Sequence, residues 1–185
     1  STTDADGDRV KSIFNWYRNG TSITVLNLPF EGTNGTATTK AWDYSGFNNN
    51  GSEKGTVLWN ATGGFDGLGA YEFDGVDDHI NISDSDSLRP PIAITIAAWV
   101  KPKAAAQSAA IVDKISFGGS DGYSLNLIFG RPALNIGGSA TSGGTSLPVD
   151  AYSHIAGGYD GSQIVIYVNG VEDGSGPKTG AIPAN

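Results

Sequence analysis

The chain contains no cysteine. That absence excludes disulfides, thiolate metal sites and cysteine nucleophiles, and it leaves the redox compartment open. Cationic side chains are also scarce: 11 Lys and Arg stand against 19 Asp and Glu, a formal net charge of −8, with no basic cluster. Phosphate backbones and anionic lipid surfaces are gripped by grouped Lys and Arg, so neither nucleic acid nor membrane insertion is expected. No apolar run approaches the roughly 20 residues of a membrane-crossing helix. No basic, apolar, small-residue leader opens the chain either, and Ser1 is expected to be a processed or trimmed end.

What is present points to a folded, turn-rich protein. The 185 residues can hide a sizeable core in one domain, or one domain plus an appendage. A hydrophobic fraction of 38% supports packing, while 27 glycines predict many turns. Apolar residues recur at every second position, as in Ile92, Ile94, Ile96 and Ala98, or Ile164, Ile166 and Val168. That period is the signature of strands with one buried face. Turn pairs lie between them at Asp74-Gly75, Asp121-Gly122, Asp160-Gly161 and Asn169-Gly170. The last predicts a type I′ hairpin in which residues 163–168 pair with those from 171 onward. The alanine-rich "KPKAAAQSAAIVDK" reads as a helix or as a loop feeding a strand at 111–114. The predicted class is all-β, with two packed antiparallel sheets.

Five Asn-x-Ser/Thr tripeptides begin at Asn19, Asn34, Asn50, Asn60 and Asn81, and each is an N-glycosylation acceptor if the chain is exported.

The blocks "AYEFDGVDDHINISDSDSL", "ITIAAWVKP", "IVDK", "GYSLNL" and "AYSHIAGGYDGSQIVIYVNGVEDG" follow the order and spacing of laminin-G-like modules of the concanavalin A-like lectin/glucanase superfamily. The resemblance covers about residues 24–176, and "AWDYSGFNNNGS" is similar to that family's Asp-x-Ser-Gly loop. It implies a jelly-roll sandwich, glycan or protein binding, calcium in many members, and an extracellular or cell-surface setting as one bead of a longer chain. Tyr152, Ser153 and His154 stand where relatives often carry Trp before a His pair, which weakens any histidine site. Residues 1–23 resemble the closing part of an immunoglobulin-like or PKD-like repeat. Relatives usually add a strand pair after the Asn-Gly hairpin, whereas here "GAIPAN" follows.

Several residues carry candidate chemistry. Glu72, Asp74 and Asp77 form Glu-x-Asp-x-x-Asp, close to the Glu-x-Asp-x-x-Glu of related glucanases. Retaining hydrolysis holds two carboxyls about 5–5.5 Å apart on one continuous element, and Gly75 is expected to break this one. No enzyme is expected, and glycoside hydrolysis is the least favoured reading. A hard cation asks less, six to eight oxygens from carboxylates, amides and backbone. Calcium is the expected ion, with Asp43, Asn48, Asp74 and Asp77 as ligands if the fold joins their loops. The competing reading is that Asp74-Gly75 is only a turn and that Asp43 and Asn48 cap their own loop. His79 and His154 alternate with apolar neighbours and are expected to pack. Trp42 and Trp59, beside polar loops, are the expected sugar-stacking residues, whereas Trp99 is placed in the core.

These observations predict a module at 24–185 preceded by an extended segment, 1–23. A sandwich lacking its last strand leaves backbone groups and apolar surface open, and a strand lent by another chain would satisfy both. Val10, Ile13, Phe14, Trp16 and Tyr17 lie in the expected donor strand. Donor and acceptor at opposite ends make a head-to-tail contact that propagates into a filament or surface array. The leading expectation is therefore a non-enzymatic adhesive or structural subunit whose partners are copies of itself. Adjacent domains of a longer chain are the simpler partners. The alternative is a calcium-dependent module that binds surface glycans or proteins.

Overall fold

Period-two patterning and turn chemistry decide the architecture of the computed structural model, which describes residues 13–30, 40–116 and 119–184. Val10 and Asn34 lie outside the described residues. The chain divides into two compact units, Ser1–Leu88 and Arg89–Asn185.

The first unit contains short strands: β1 (Tyr17–Arg18), β2 (Thr21–Ser22), β3 (Lys40–Ala41), β4 (Gly51–Lys54), β5 (Leu58–Asn60), β6 (Ala70–Glu72) and β7 (His79–Ile82), followed by a 3-10 turn at Asp86–Leu88. They form a β1-β2 hairpin, a three-stranded β3-β4-β7 sheet and a β5-β6 ribbon. The first hairpin turns at Asn19-Gly20, with φ of 51° and 80°, the left-handed region that Asn and Gly enter most readily. Residues 13–23 fold back on their own unit: Asn15 Nδ2 donates to the Ser45 carbonyl at 2.9 Å, and Asn27 Nδ2 donates to the Phe14 carbonyl at 2.9 Å.

The second unit contains β8 (Ile94–Val100), β9 (Ala109–Lys114), β10 (Tyr123–Ile128), β11 (Arg131–Ile136), β12 (Ser139–Ser142), β13 (Ser153–Tyr159), β14 (Gln163–Val168) and β15 (Val171–Pro177). Two four-stranded antiparallel sheets result, β12-β11-β10-β9 and β15-β14-β13-β8. Alternation puts Leu125, Leu127, Leu134 and Ile136 of one sheet and Ile155, Ile164, Ile166 and Val168 of the other into one core. Burying each such side chain contributes about 1.5–3 kcal/mol. The sheets approach closely at Gly157, where a Cβ would lie 3.0 Å from that of Leu134. This is the expected all-β sandwich.

The alanine-rich stretch resolves into a loop that enters β9, and the Asn169-Gly170 hairpin pairs β14 with β15 from Val168↔Val171 to Gln163↔Pro177. Beyond β15 the chain crosses back over its own unit. Tyr159 Oη donates to the Gly180 carbonyl at 2.6 Å, Ile182 N donates to the Pro91 carbonyl at 2.9 Å, and Gly122 N donates to the Pro183 carbonyl at 2.8 Å. Ile182 thereby enters the core.

One expectation is corrected. Trp99 is 46% exposed, because the alternation of β8 turns Ile94, Ile96, Ala98 and Val100 inward and leaves Trp99 on the outer face. There it meets its cross-strand partner His154 edge to face, with ring centroids 5.2 Å apart.

Candidate functional site

In the β5-β6 ribbon, Leu58 pairs with Glu72, Trp59 with Tyr71 and Asn60 with Ala70. Directly opposed residues share a face, and residues two apart on a strand share it as well. Trp59, Tyr71 and Phe73 therefore line one side of the ribbon. The other side carries Leu58, Asn60 and Glu72, where Asn60 Nδ2 donates to Glu72 Oε1 at 2.8 Å.

The aromatic side is held in place rather than loose. Trp59 Nε1 donates to the Phe30 carbonyl at 2.9 Å, which fixes the indole plane. Gly69 makes room for that contact, since a Cβ there would lie 2.7 Å from the Phe30 carbonyl oxygen and 2.8 Å from Trp59 Nε1. Phe30 meets Tyr71 edge to face at 5.1 Å, and Tyr71 meets Phe73 at 6.4 Å. Burial, then the hydrogen bond and negative charge of Glu53, push the Tyr71 hydroxyl well above the usual phenol range. Tyr71 thus stays a neutral phenol, and its hydrogen bond orients the ring. Trp59 is 39% and Phe73 45% exposed, so water reaches a flat apolar surface braced from below.

The expected metal ligands separate into two sets. Asp74 and Asp77 converge with Asp78, their candidate ligand oxygens all within 4.8 Å of one another. Gly75, at φ 77°, makes the turn that gathers them and ends the run from Glu72. Asp78 also braces the loop, with Oδ1 accepting from Thr56 N at 2.5 Å and Oδ2 from Asp74 N at 2.9 Å. Asp74 Oδ1 accepts from Val76 N at 2.8 Å. Asp77 is exposed, and His79 Nδ1 faces the Asp77 carbonyl oxygen at 2.8 Å. Three carboxylates supply the anionic part of a hard-cation shell, with carbonyls and water for the remainder.

Asp43 does different work. Its carboxylate accepts from Asn27 N, Ser45 N, Ser45 Oγ and Asn49 N at 2.6–2.9 Å, which saturates its lone pairs. Burial pushes the carboxyl up, but these four bonds together outweigh it and hold the group below the usual aspartate value. Beside it Asn49 is buried, donating to the Val25 carbonyl and to Ser87 Oγ and accepting from Ser85 Oγ. Asn48 is exposed at φ 58°, a left-handed turn residue. The Asp-x-Ser-Gly loop is thus the polar centre of the first unit.

The remaining expected residues are placed plainly. Trp42, next to Asp43, is 42% exposed. Asn19 and Asn81 are exposed, Asn50 Oδ1 accepts from Asp43 N at 2.8 Å, and Asn60 Oδ1 accepts from Thr62 N at 3.1 Å. Phe14, Trp16 and Tyr17 are exposed, and Ile13 is half-buried. Tyr71 and Phe73 were not singled out from the sequence. The signal lay in "AYEF", where aromatics two apart on a strand must share a face.

A family model described as the concanavalin A-like lectin/glucanases superfamily, of laminin-G type, matches residues 74–185. No curated protein sequence matches the chain. Domain 4 of an extracellular arabinanase from Geobacillus stearothermophilus, solved with arabinotriose, superposes with a TM-score of 0.51 at 22% identity, covering 72% of this chain and 64% of that one. A chain of botulinum neurotoxin type C, whose cell entry depends on interaction with two ganglioside molecules, superposes with a TM-score of 0.55 at 16% identity, covering 90% of this chain and 38% of that one. At these identities the likeness is one of fold, and the chain spans less than two thirds of either neighbour.

Proposed function

The chain belongs to the concanavalin A-like lectin/glucanases superfamily, and from that premise we propose that it is a non-enzymatic carbohydrate-binding module acting outside the cell. One observation carries the reading: Trp59, Tyr71 and Phe73 form a braced, water-accessible aromatic face on a two-stranded ribbon. A pyranose or furanose ring presents a flat C–H face that stacks on such a surface, while its hydroxyls remain in water or meet flanking polar groups. Glu53, hydrogen-bonded to Tyr71, puts a negative charge beside the platform, so it suits neutral sugars over anionic ones. That the structural neighbours include proteins solved or studied with saccharides supports the choice of class.

Calorimetric titration with neutral oligosaccharides, beginning with arabinotriose and short β-glucans, tests this. Binding should appear and Trp59→Ala should weaken it at least tenfold; no binding to any neutral oligosaccharide, or an unaffected Trp59→Ala, overturns it. Asp74, Asp77 and Asp78 would hold calcium near the start of β7 and stiffen the loop after Phe73. If so, calcium should raise the thermal midpoint of the wild-type protein and not of Asp77→Asn.

Head-to-tail assembly is the second reading, and a specific observation favours it. Phe14, Trp16 and Tyr17 lie close together in sequence and all face water on a two-residue hairpin strand or beside it. A partner copy would cover them. Light scattering should then show polymers that deletion of residues 1–23 dissolves, whereas a monomer at all concentrations would refute assembly.

A further inference from the structure

Four turns among the described residues share one backbone geometry. Asn19-Gly20, Phe129-Gly130, Gly137-Gly138 and Asn169-Gly170 connect paired antiparallel strands with φ of 51° and 80°, 49° and 79°, 54° and 83°, and 50° and 80°. Type I′ turns favour Asn-Gly because Asn tolerates the left-handed region, which a bulky aromatic does not. Phe129 breaks the pattern set by the other three, which use Asn or Gly at that position. Burial does not compensate, because Phe129 is 73% exposed. A local rule broken without packing gain is the mark of a residue kept for contact with something outside the fold.

The neighbourhood supplies the chemistry of that contact. An open cavity of about 400 Å³ is lined by Ile128, Phe129, Arg131, Ser142 and Ser146. The turn beneath it is anchored: Phe129 N donates to Ser108 Oγ at 3.0 Å, Gly130 N to the Gln107 carbonyl at 2.8 Å, and Leu147 N to the Gly130 carbonyl at 2.9 Å. The backbone that presents Phe129 to the cavity lining is therefore fixed. Arg131 is the one charged residue of the lining. Its guanidinium has no hydrogen bond or ion pair among the described residues, nor have the hydroxyls of Ser142 and Ser146. The neighbouring carboxylate of Asp173 is already engaged by Thr145 N and Oγ1, at 3.0 and 2.5 Å.

We propose that the tip of the β10-β11 hairpin is a second saccharide subsite, one that takes a carboxylate-bearing sugar residue. Phe129 stacks on the ring, Arg131 forks onto the carboxylate, and Ser142 and Ser146 bond the ring hydroxyls. This rests on the carbohydrate-binding reading and gives it a second, oppositely selective site: neutral sugars at Trp59, acidic ones at Phe129.

The test is titration of the full chain with two matched probes, tri-galacturonate and neutral tri-galactose, using wild type, Trp59→Ala, Phe129→Asn and Arg131→Gln. Phe129→Asn installs the residue used at two of the other three turns, so it should fold and melt no lower than wild type. The acidic probe should bind wild type and Trp59→Ala alike, weaken at least tenfold in Phe129→Asn and in Arg131→Gln, and lose affinity as salt rises. Equal affinity of Trp59→Ala for both probes, or acidic binding that survives Phe129→Asn or Arg131→Gln, overturns the subsite. Neutral binding through Trp59 without acidic binding removes this inference alone, whereas binding of neither probe removes it together with the carbohydrate reading.

Discussion

The two units of this chain are stabilised by different means. In the second, the buried hydrophobic residues are Leu, Ile, Val, Tyr and Ala, most of them from two facing sheets, and the strands are four to seven residues long. In the first, the buried hydrophobic residues among those described are Ala41 and Leu88, alongside the buried polar Ser45 and Asn49. Its strands run two to four residues, and its large aromatics largely face water. Apolar area removed from water drives the one, while a saturated carboxylate and a buried amide organise the other. A unit built on directional bonds leaves its rings free for ligands, which a unit built on burial cannot do on its inner faces.

The largest expected effect separates the units by apolar truncation. Leu125→Ala or Ile155→Ala, both fully buried, should cost about 2–5 kcal/mol in chemical denaturation. Leu58→Ala in the first unit should stay within about 0.5 kcal/mol, since Leu58 is 66% exposed. Equal losses would dissolve the contrast.

Next in size is the polar hub. Asp43→Ala strands the amides of Asn27, Ser45 and Asn49, at about 1–3 kcal/mol, with partial exposure favouring the lower end. Hydrogen exchange should quicken at those amides and leave β13 and β14 unchanged. Because Asp43 titrates below its unfolded value, its contribution is complete above about pH 3.9 and is lost as pH falls through the lower folded value. The same amides should therefore loosen in acid in the wild-type protein.

A smaller effect has the opposite sign. Phe129→Asn relieves a strained φ in the second unit and should raise stability by about 1 kcal/mol, read as a higher thermal midpoint. Read in binding rather than in the global melt is Gly69→Ala, which would set a methyl 2.7 Å from the Phe30 carbonyl oxygen and 2.8 Å from Trp59 Nε1, so the indole bond must give way. Sugar affinity should fall, with any loss of stability confined to the first unit.

Legibility followed the same divide. Alternation at Ile94, Ile96 and Ala98 and the Asn169-Gly170 pair announced β8 and the β14-β15 hairpin, because burial on one face imposes period two and the turn imposes Asn-Gly. Trp99 lies inside the apolar block "ITIAAWVKP", which suggests burial, whereas parity along the strand decides it. In the first unit strands of two to four residues leave too short a pattern to read, and side chain to backbone bonds do the ordering. The Asp-x-Ser-Gly loop was visible, but whether Asp43 serves an ion or its own loop depended on where four donors came to rest. Phe129 was invisible because an isolated Phe-Gly carries no warning until the φ angles are known.

The crossing of residues 178–184 over the second unit has a bearing on how the protein is born. Ile182 closes onto Pro91, just ahead of β8, and its side chain completes the core. A nascent chain therefore holds the opening strand of this unit unlatched until nearly a hundred later residues have left the ribosome. Such distant closure makes maturation slow and late, and exposes the half-made sandwich to chaperones for most of its synthesis.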